Sequence, residues 1–232
     1  MQDSIYTIPV SDVFDPKCGC PICAMRDKLE TRCIEYIMGA AMMEPDVRIE
    51  TNKTGFCREH FDKMLKQKNR LSLALMLESH LAELKDRILD AKSLAGLFDK
   101  SAKVKKVSRV NNSCYVCDKI DWAMERMLDT VCRLYESERS FRELFAAQEF
   151  LCLPHYELLC TYAAGHMGKK YQSDFVKTAT ALTLNHLEQL NADVSHFCKM
   201  FDYRNAGENA DWGNSRDAIE RSVAFLTSRQ PK

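Results

Sequence analysis

Apolar residues recur at three- and four-residue spacing through most of this 232-residue chain, and Gly and Pro number only eight and six. That is helical periodicity with few interruptions, and it predicts an all-α protein. A first helix is expected from about Cys20 in CPICAMRDKLETRCIEYIMGAAM, with Pro45 and ETNKTG breaking the chain after it. A second helix opens near Arg58. A third follows from about Leu71, where Leu77, Leu81, Leu84 and Ile88 form a stripe expected to pack against another element. Residues 99–113, DKSAKVKKVSRVNNS, are polar and basic without a stripe and read as a linker.

After that segment the pattern begins again. CYVCDKIDWAMERMLDTVCRLYE matches the first helix, and FLCLPHYELL matches GFCREHFDKML. Cys20 to Cys114 and Cys23 to Cys117 are both 94 residues apart, while Cys57 to Cys152 and His60 to His155 are both 95 apart. Four matches at nearly one offset predict two duplicated halves, each with a CxxC helix, a CxxH helix and a long amphipathic helix. The long helices correspond as ALMLESHLAEL and TALTLNHLEQL, which pairs His80 with His186 after an 11-residue insertion. The expected division is residues 1–98 as the first metal-binding half, 99–113 as the linker and 114–232 as the second half. The second half alone carries a tail, with a final helix from about Ser215.

Cysteine chemistry sharpens this picture. The chain has 11 cysteines, an odd number, and begins with the acidic MQDSIYTIPVSDVFDP, which lacks the continuous apolar segment of a secretory signal. A reducing, cytoplasmic setting is therefore expected, where clustered cysteines bind metal more often than they form bridges. Zinc favours four thiolate or imidazole donors in a tetrahedron, and two residues three apart at a helix start supply two of them. Cys20, Cys23, Cys57 and His60 make one expected set, and Cys114, Cys117, Cys152 and His155 the other. Zinc is the expected ion, at two per chain, with iron or an iron-sulfur cluster less favoured for the same donors. All four positions being filled points to a structural rather than a catalytic role. Cys18, in CGCPIC, is a weaker substitute for Cys20 because nothing before Cys114 matches it.

The remaining candidates have plainer readings. Cys33, Cys132, Cys160 and Cys198 suit core filling. His80 and His186 lie on or beside an apolar face, where a histidine is commonly a hydrogen-bonded core residue; their matched positions raise the alternative of two imidazoles facing one cavity. The thioredoxin-like strand and helix context of a redox CxxC is missing, as are phosphate-loop, dinucleotide and serine-triad motifs. Asp202, Arg204, Trp212, Asn214, Asp217 and Arg221 cluster in the tail, suiting either docking of the last helix or a partner contact. Lys plus Arg and Asp plus Glu are both 33, so the net charge is zero and no global field attracts nucleic acid; no stretch is apolar enough to span a membrane.

CPIC, ETNKTGFCREHF, NRLSLALMLESHL and FDYRNAGENADWGNSRDAIERSV together resemble an uncharacterised bacterial family, a domain of unknown function frequent in anaerobic Gram-positive bacteria. The resemblance covers nearly the whole chain and implies a bacterial cytoplasmic protein without supplying an activity. Two functions stay open. One is a zinc-stabilised interaction or scaffold protein with a protein partner. The other is a metal- or histidine-dependent enzyme, or a small-molecule binder, acting in a cavity between the halves.

Overall fold

The computed structural model describes residues 5–86, 100–202 and 211–228, with side chains of 100–103 set aside. Among these residues the protein is all helix, with no strand. The elements are α1 (Thr7–Phe14), α2 (Pro21–Met38), α3 (Pro45–Thr54), α4 (Arg58–Lys66), α5 (Arg70–Leu84), α6 (Lys100–Asn111), α7 (Tyr115–Ser137), α8 (Arg139–Ala146), α9 (Leu153–His166), α10 (Lys169–Met200) and α11 (Ala218–Thr227). They group into two compact units that do not follow chain order. One comprises Met1–Arg26 with Glu125–Lys232, and the other Asp27–Met124. The sequence suggests instead a division on either side of residues 99–113; in the fold, the opening turns of α2 and α7 fall in different units from the rest of those helices.

The unit of Met1–Arg26 and Glu125–Lys232 is built around aromatic rings. Phe14 from α1 lies 5.2 Å from Phe141 and 6.0 Å from Phe145 of α8, and Tyr135 meets Phe145 and Phe175 edge-on at 5.4 and 4.9 Å. Edge-to-face pairs of this kind add to the burial that drives packing. The Tyr135 hydroxyl keeps its hydrogen bond by donating to Asp174 Oδ2 at 2.8 Å. Helix α10 packs along α9 and α11. In the tail, Arg221 donates to Asp193 at 2.9 Å and to Asp217 at 2.9 Å, while Trp212 meets Phe197 and Phe201 edge-on. These contacts fit docking of the last helix; Arg204 lies outside the described residues.

The unit of Asp27–Met124 departs from the sequence reading in three places. Pro45 does not simply break the chain: it opens α3, because its missing N–H is no loss at the first helical position. Helix α3 then runs through ETNKT and stops at Gly55, whose φ of 64° suits a residue without Cβ. The segment read as a linker is helical over Lys100–Asn111, and α6 packs on α3. In α5 the buried face is Leu73, Met76 and His80, not Leu77 and Leu81; Leu81 is 61% exposed and Ile88 lies outside the described residues. The run of leucines there offers two competing stripes, and packing against α3 selects the one that includes His80.

Candidate metal centres

Each CxxC sits at the start of a helix. Cys20 immediately precedes α2 and Cys114 immediately precedes α7, so the second cysteine of each pair falls in the first turn. Cys57 and Cys152 are the residues before α4 and α9, with extended backbones of φ −73°, ψ 166° and φ −68°, ψ 156°. His60 and His155 then lie in the first turn of those helices, three residues from their cysteines. The unbonded N–H groups at a helix start favour the negative charge that thiolates bring.

The clusters cross the chain order. Cys20, Cys23, Cys152 and His155 form one, and Cys57, His60, Cys114 and Cys117 form the other. The expected pairing of each CxxC with the CxxH that follows it is thereby corrected: the pairs join across what the sequence reads as two halves. Neighbouring bonds support the crossing. Gly19 N–H donates to Glu149 Oε2 at 2.6 Å, and at the corresponding places Ser113 Oγ donates to the Thr54 carbonyl at 2.7 Å. Tyr115 N–H adds a bond to the Gly55 carbonyl at 3.0 Å.

The spacing fits a four-coordinate ion. A tetrahedral zinc with Zn–S of about 2.3 Å and Zn–N of about 2.0 Å implies S···S edges of about 3.8 Å and S···N edges of about 3.5 Å. In the first cluster Cys23 Sγ is 3.7 Å from Cys152 Sγ, and His155 Nδ1 is 3.7, 3.3 and 3.1 Å from the sulfurs of Cys20, Cys23 and Cys152. In the second, His60 Nδ1 is 3.1, 3.1 and 3.5 Å from the sulfurs of Cys57, Cys114 and Cys117. Both groups can therefore hold a metal ion through three sulfurs and one Nδ1.

Electrostatics points the same way. In the first cluster Cys20 is held well below the usual thiol range by hydrogen bonds from Cys152 and Cys23, whereas Cys23 is pushed up by Cys152 and Cys20. One thiolate is thus favoured at the expense of its neighbours. In the second cluster burial pushes Cys114 and Cys117 up. Three sulfurs packed this closely cannot all ionise alone, and a bound cation removes the conflict by favouring every thiolate at once.

Of the other cysteines, Cys132 is buried, Cys33 and Cys160 are half-buried, and Cys198 and Cys18 are exposed. Core filling thus accounts for Cys132 but not Cys198. The paired histidines fall in separate units, each in its own setting. Buried His80 bonds the Asn52 carbonyl through Nδ1 at 2.9 Å and lies against Gly55. His186 stacks on Phe150 with centroids 3.7 Å apart. It lines a cavity of about 600 Å³ with Cys18, Glu149, Asp193 and Arg221. Gly55 and Phe150 each stand two residues before a cluster cysteine, Cys57 and Cys152, so the two histidines meet corresponding places in the chain.

Sequence reasoning missed Glu30. Its Oε1 lies 2.9 Å from His60 Nε2 and its Oε2 contacts Lys63 Nζ. Glu30 and His60 stand 30 positions apart in the chain, too far for a local spacing to signal the pair.

Among the described residues no helix is long and apolar enough to cross a membrane. No curated protein and no solved structure matches the chain. With its two Cys and His clusters, the chain belongs to a family of unknown function (DUF6062) that matches it over residues 1–232.

Proposed function

We propose that the protein binds two zinc ions, one in each unit, and that both are structural. The observation that carries this is the completeness of each donor set: three sulfurs and one Nδ1 within 4.8 Å of one another fill a tetrahedron and leave no position for substrate or water. Thiolate-rich sets favour zinc or iron over hard cations, and zinc suits a site with no demand for redox chemistry. The metal would clamp the starts of two helices in each unit. The matched caps at Cys57 and Cys152, and the matched bonds at Gly19 and Ser113, support descent from a duplicated unit whose copies exchanged their CxxC turns. A zinc-stapled helical protein without an open coordination position serves best as an interaction or scaffold protein in a reducing compartment.

Cobalt substitution tests the closed shell. Co(II) in both centres should give tetrahedral thiolate spectra that added azide or imidazole leave unchanged. A spectrum that shifts with these ligands would reveal an open position and put an enzymatic role first.

A second reading is a small-molecule binder, favoured by the cavity beside His186. Burial pushes that imidazole down in pKa, so it stays neutral beside Phe150 and Arg221. Its lining lies wholly within one unit, so this reading needs no cavity shared with His80.

A further inference from the structure

The two donor sets are chemically alike, yet their surroundings differ. His60 is 3% exposed and its Nε2 lies 2.9 Å from Glu30 Oε1, while the other Glu30 oxygen contacts Lys63. A carboxylate can only accept, so Nε2 must carry the ring proton and Nδ1 presents its lone pair to Cys57, Cys114 and Cys117. Among the described residues no carboxylate bonds His155 Nε2 in this way. The sequence explains the contrast. Ninety-four residues after Glu30 stands Met124, and 95 after Lys63 stands Leu158, so the second copy has apolar residues at both places.

We infer that Glu30 is the positioning residue of the His60 centre: it fixes the ring tautomer and orientation that direct Nδ1 to the metal, and gives this centre a hold on its ion that the His155 centre lacks. Carboxylate partners of metal-bound histidines are worth about 10- to 100-fold in metal affinity. Exposure alone points the other way, because Cys57 and Cys117 are half-buried in this centre whereas only Cys23 is so in the other. The inference rests on the metal reading, and the experiment separates the two.

Metal release from the full, zinc-loaded chain is followed with a chromogenic chelator in wild type, Glu30→Ala, Glu30→Gln and Lys63→Met. Wild type should release two ions in two phases. Glu30→Ala should speed one phase by about 10- to 100-fold and leave the other unchanged. Glu30→Gln should lie between, since its amide oxygen still accepts from Nε2–H, and it serves as the test should Glu30→Ala fail to fold. Lys63→Met should stay within a few-fold of wild type. In Co(II)-loaded Glu30→Ala, the bands of one ion of the two should shift. A wild type holding two ions whose release ignores Glu30, or responds equally to Lys63→Met, would overturn the positioning role alone. A wild type that takes up no metal would overturn it together with the metal reading.

Discussion

Cys23 Sγ lies 3.7 Å from Cys152 Sγ although 129 residues separate them in the chain. Cys57, only 34 residues from Cys23, belongs to a different cluster. Each ion bound in these clusters would thus tie together segments that the sequence assigns to different halves. Closing 129 residues rather than 34 removes about 1 kcal/mol more entropy from the unfolded chain, at about 0.6 kcal/mol per doubling.

The crossing predicts which substitutions interact. Cys20→Ser and Cys152→Ser should each empty the same centre, so the double variant should be little worse than either single one. Cys20→Ser and Cys57→Ser strike different centres, and their effects should add within about 0.5 kcal/mol. Thermal unfolding of the singles and doubles measures both cycles. Strong coupling of Cys20 with Cys57, and none with Cys152, would restore the chain-order pairing.

Protein purified without added metal should contain close to two zinc ions per chain by elemental analysis. Structural zinc contributes roughly 10–16 kcal/mol in small peptides. That rivals the roughly 5–15 kcal/mol net stability of a whole domain, so chelation under reducing conditions should lower Tm sharply. Reduced, folded protein with no transition metal and an unchanged Tm after chelation would return the clustered cysteines to simple core packing.

The residues of the two clusters are readable in sequence because CxxC and CxxH are local spacings at helix starts. Their partnership is not, because only the fold decides which helix start meets which. Pro45 shows a second limit: the same residue that ends one helix can open another, and sequence offers no sign of which will prevail. Helix α6 was hidden by its polar composition, and its packing on α3 is a tertiary fact. His80 lies on the apolar face of α5, but the stripe through Leu77 and Leu81 that the spacing predicts is one position off the buried one of Met76 and His80.

Gly55 should tolerate no side chain. Its φ is 64°, and a Cβ there would sit 3.1 Å from His80 Nε2 while its carbonyl holds Tyr115 N–H. Gly55→Ala should cost about 1–3 kcal/mol through the strained backbone and displaced imidazole. Gly165, exposed in α9 with nothing within 4 Å of an added Cβ, is the control: Gly165→Ala should stabilise by about 0.5 kcal/mol. Denaturant midpoints of the two variants should move in opposite directions.

Nine of the 11 cysteines, all but the half-buried Cys33 and Cys160, should separate into three kinetic classes on alkylation, because rate follows thiolate content and access. Cys18 and Cys198 are exposed and should label first. The eight cluster residues include six cysteines, and those six should label only after chelation if metal holds their sulfurs. Cys132 should be slowest: it is 2% exposed, and burial pushes its thiol up to about 12 from 9.0. That shift also fixes a sign. The folded state keeps the thiol protonated while the unfolded chain ionises near 9, so the stability this group contributes is full below pH 9 and is lost as pH rises toward 12. Stability measured between pH 8 and 11 should fall less steeply in Cys132→Ala than in wild type, though the variant starts lower because a buried group is removed. Equal slopes would show that Cys132 titrates alike in both states, and rapid labelling of Cys57 or Cys152 in metal-loaded protein would show that their sulfurs are not held.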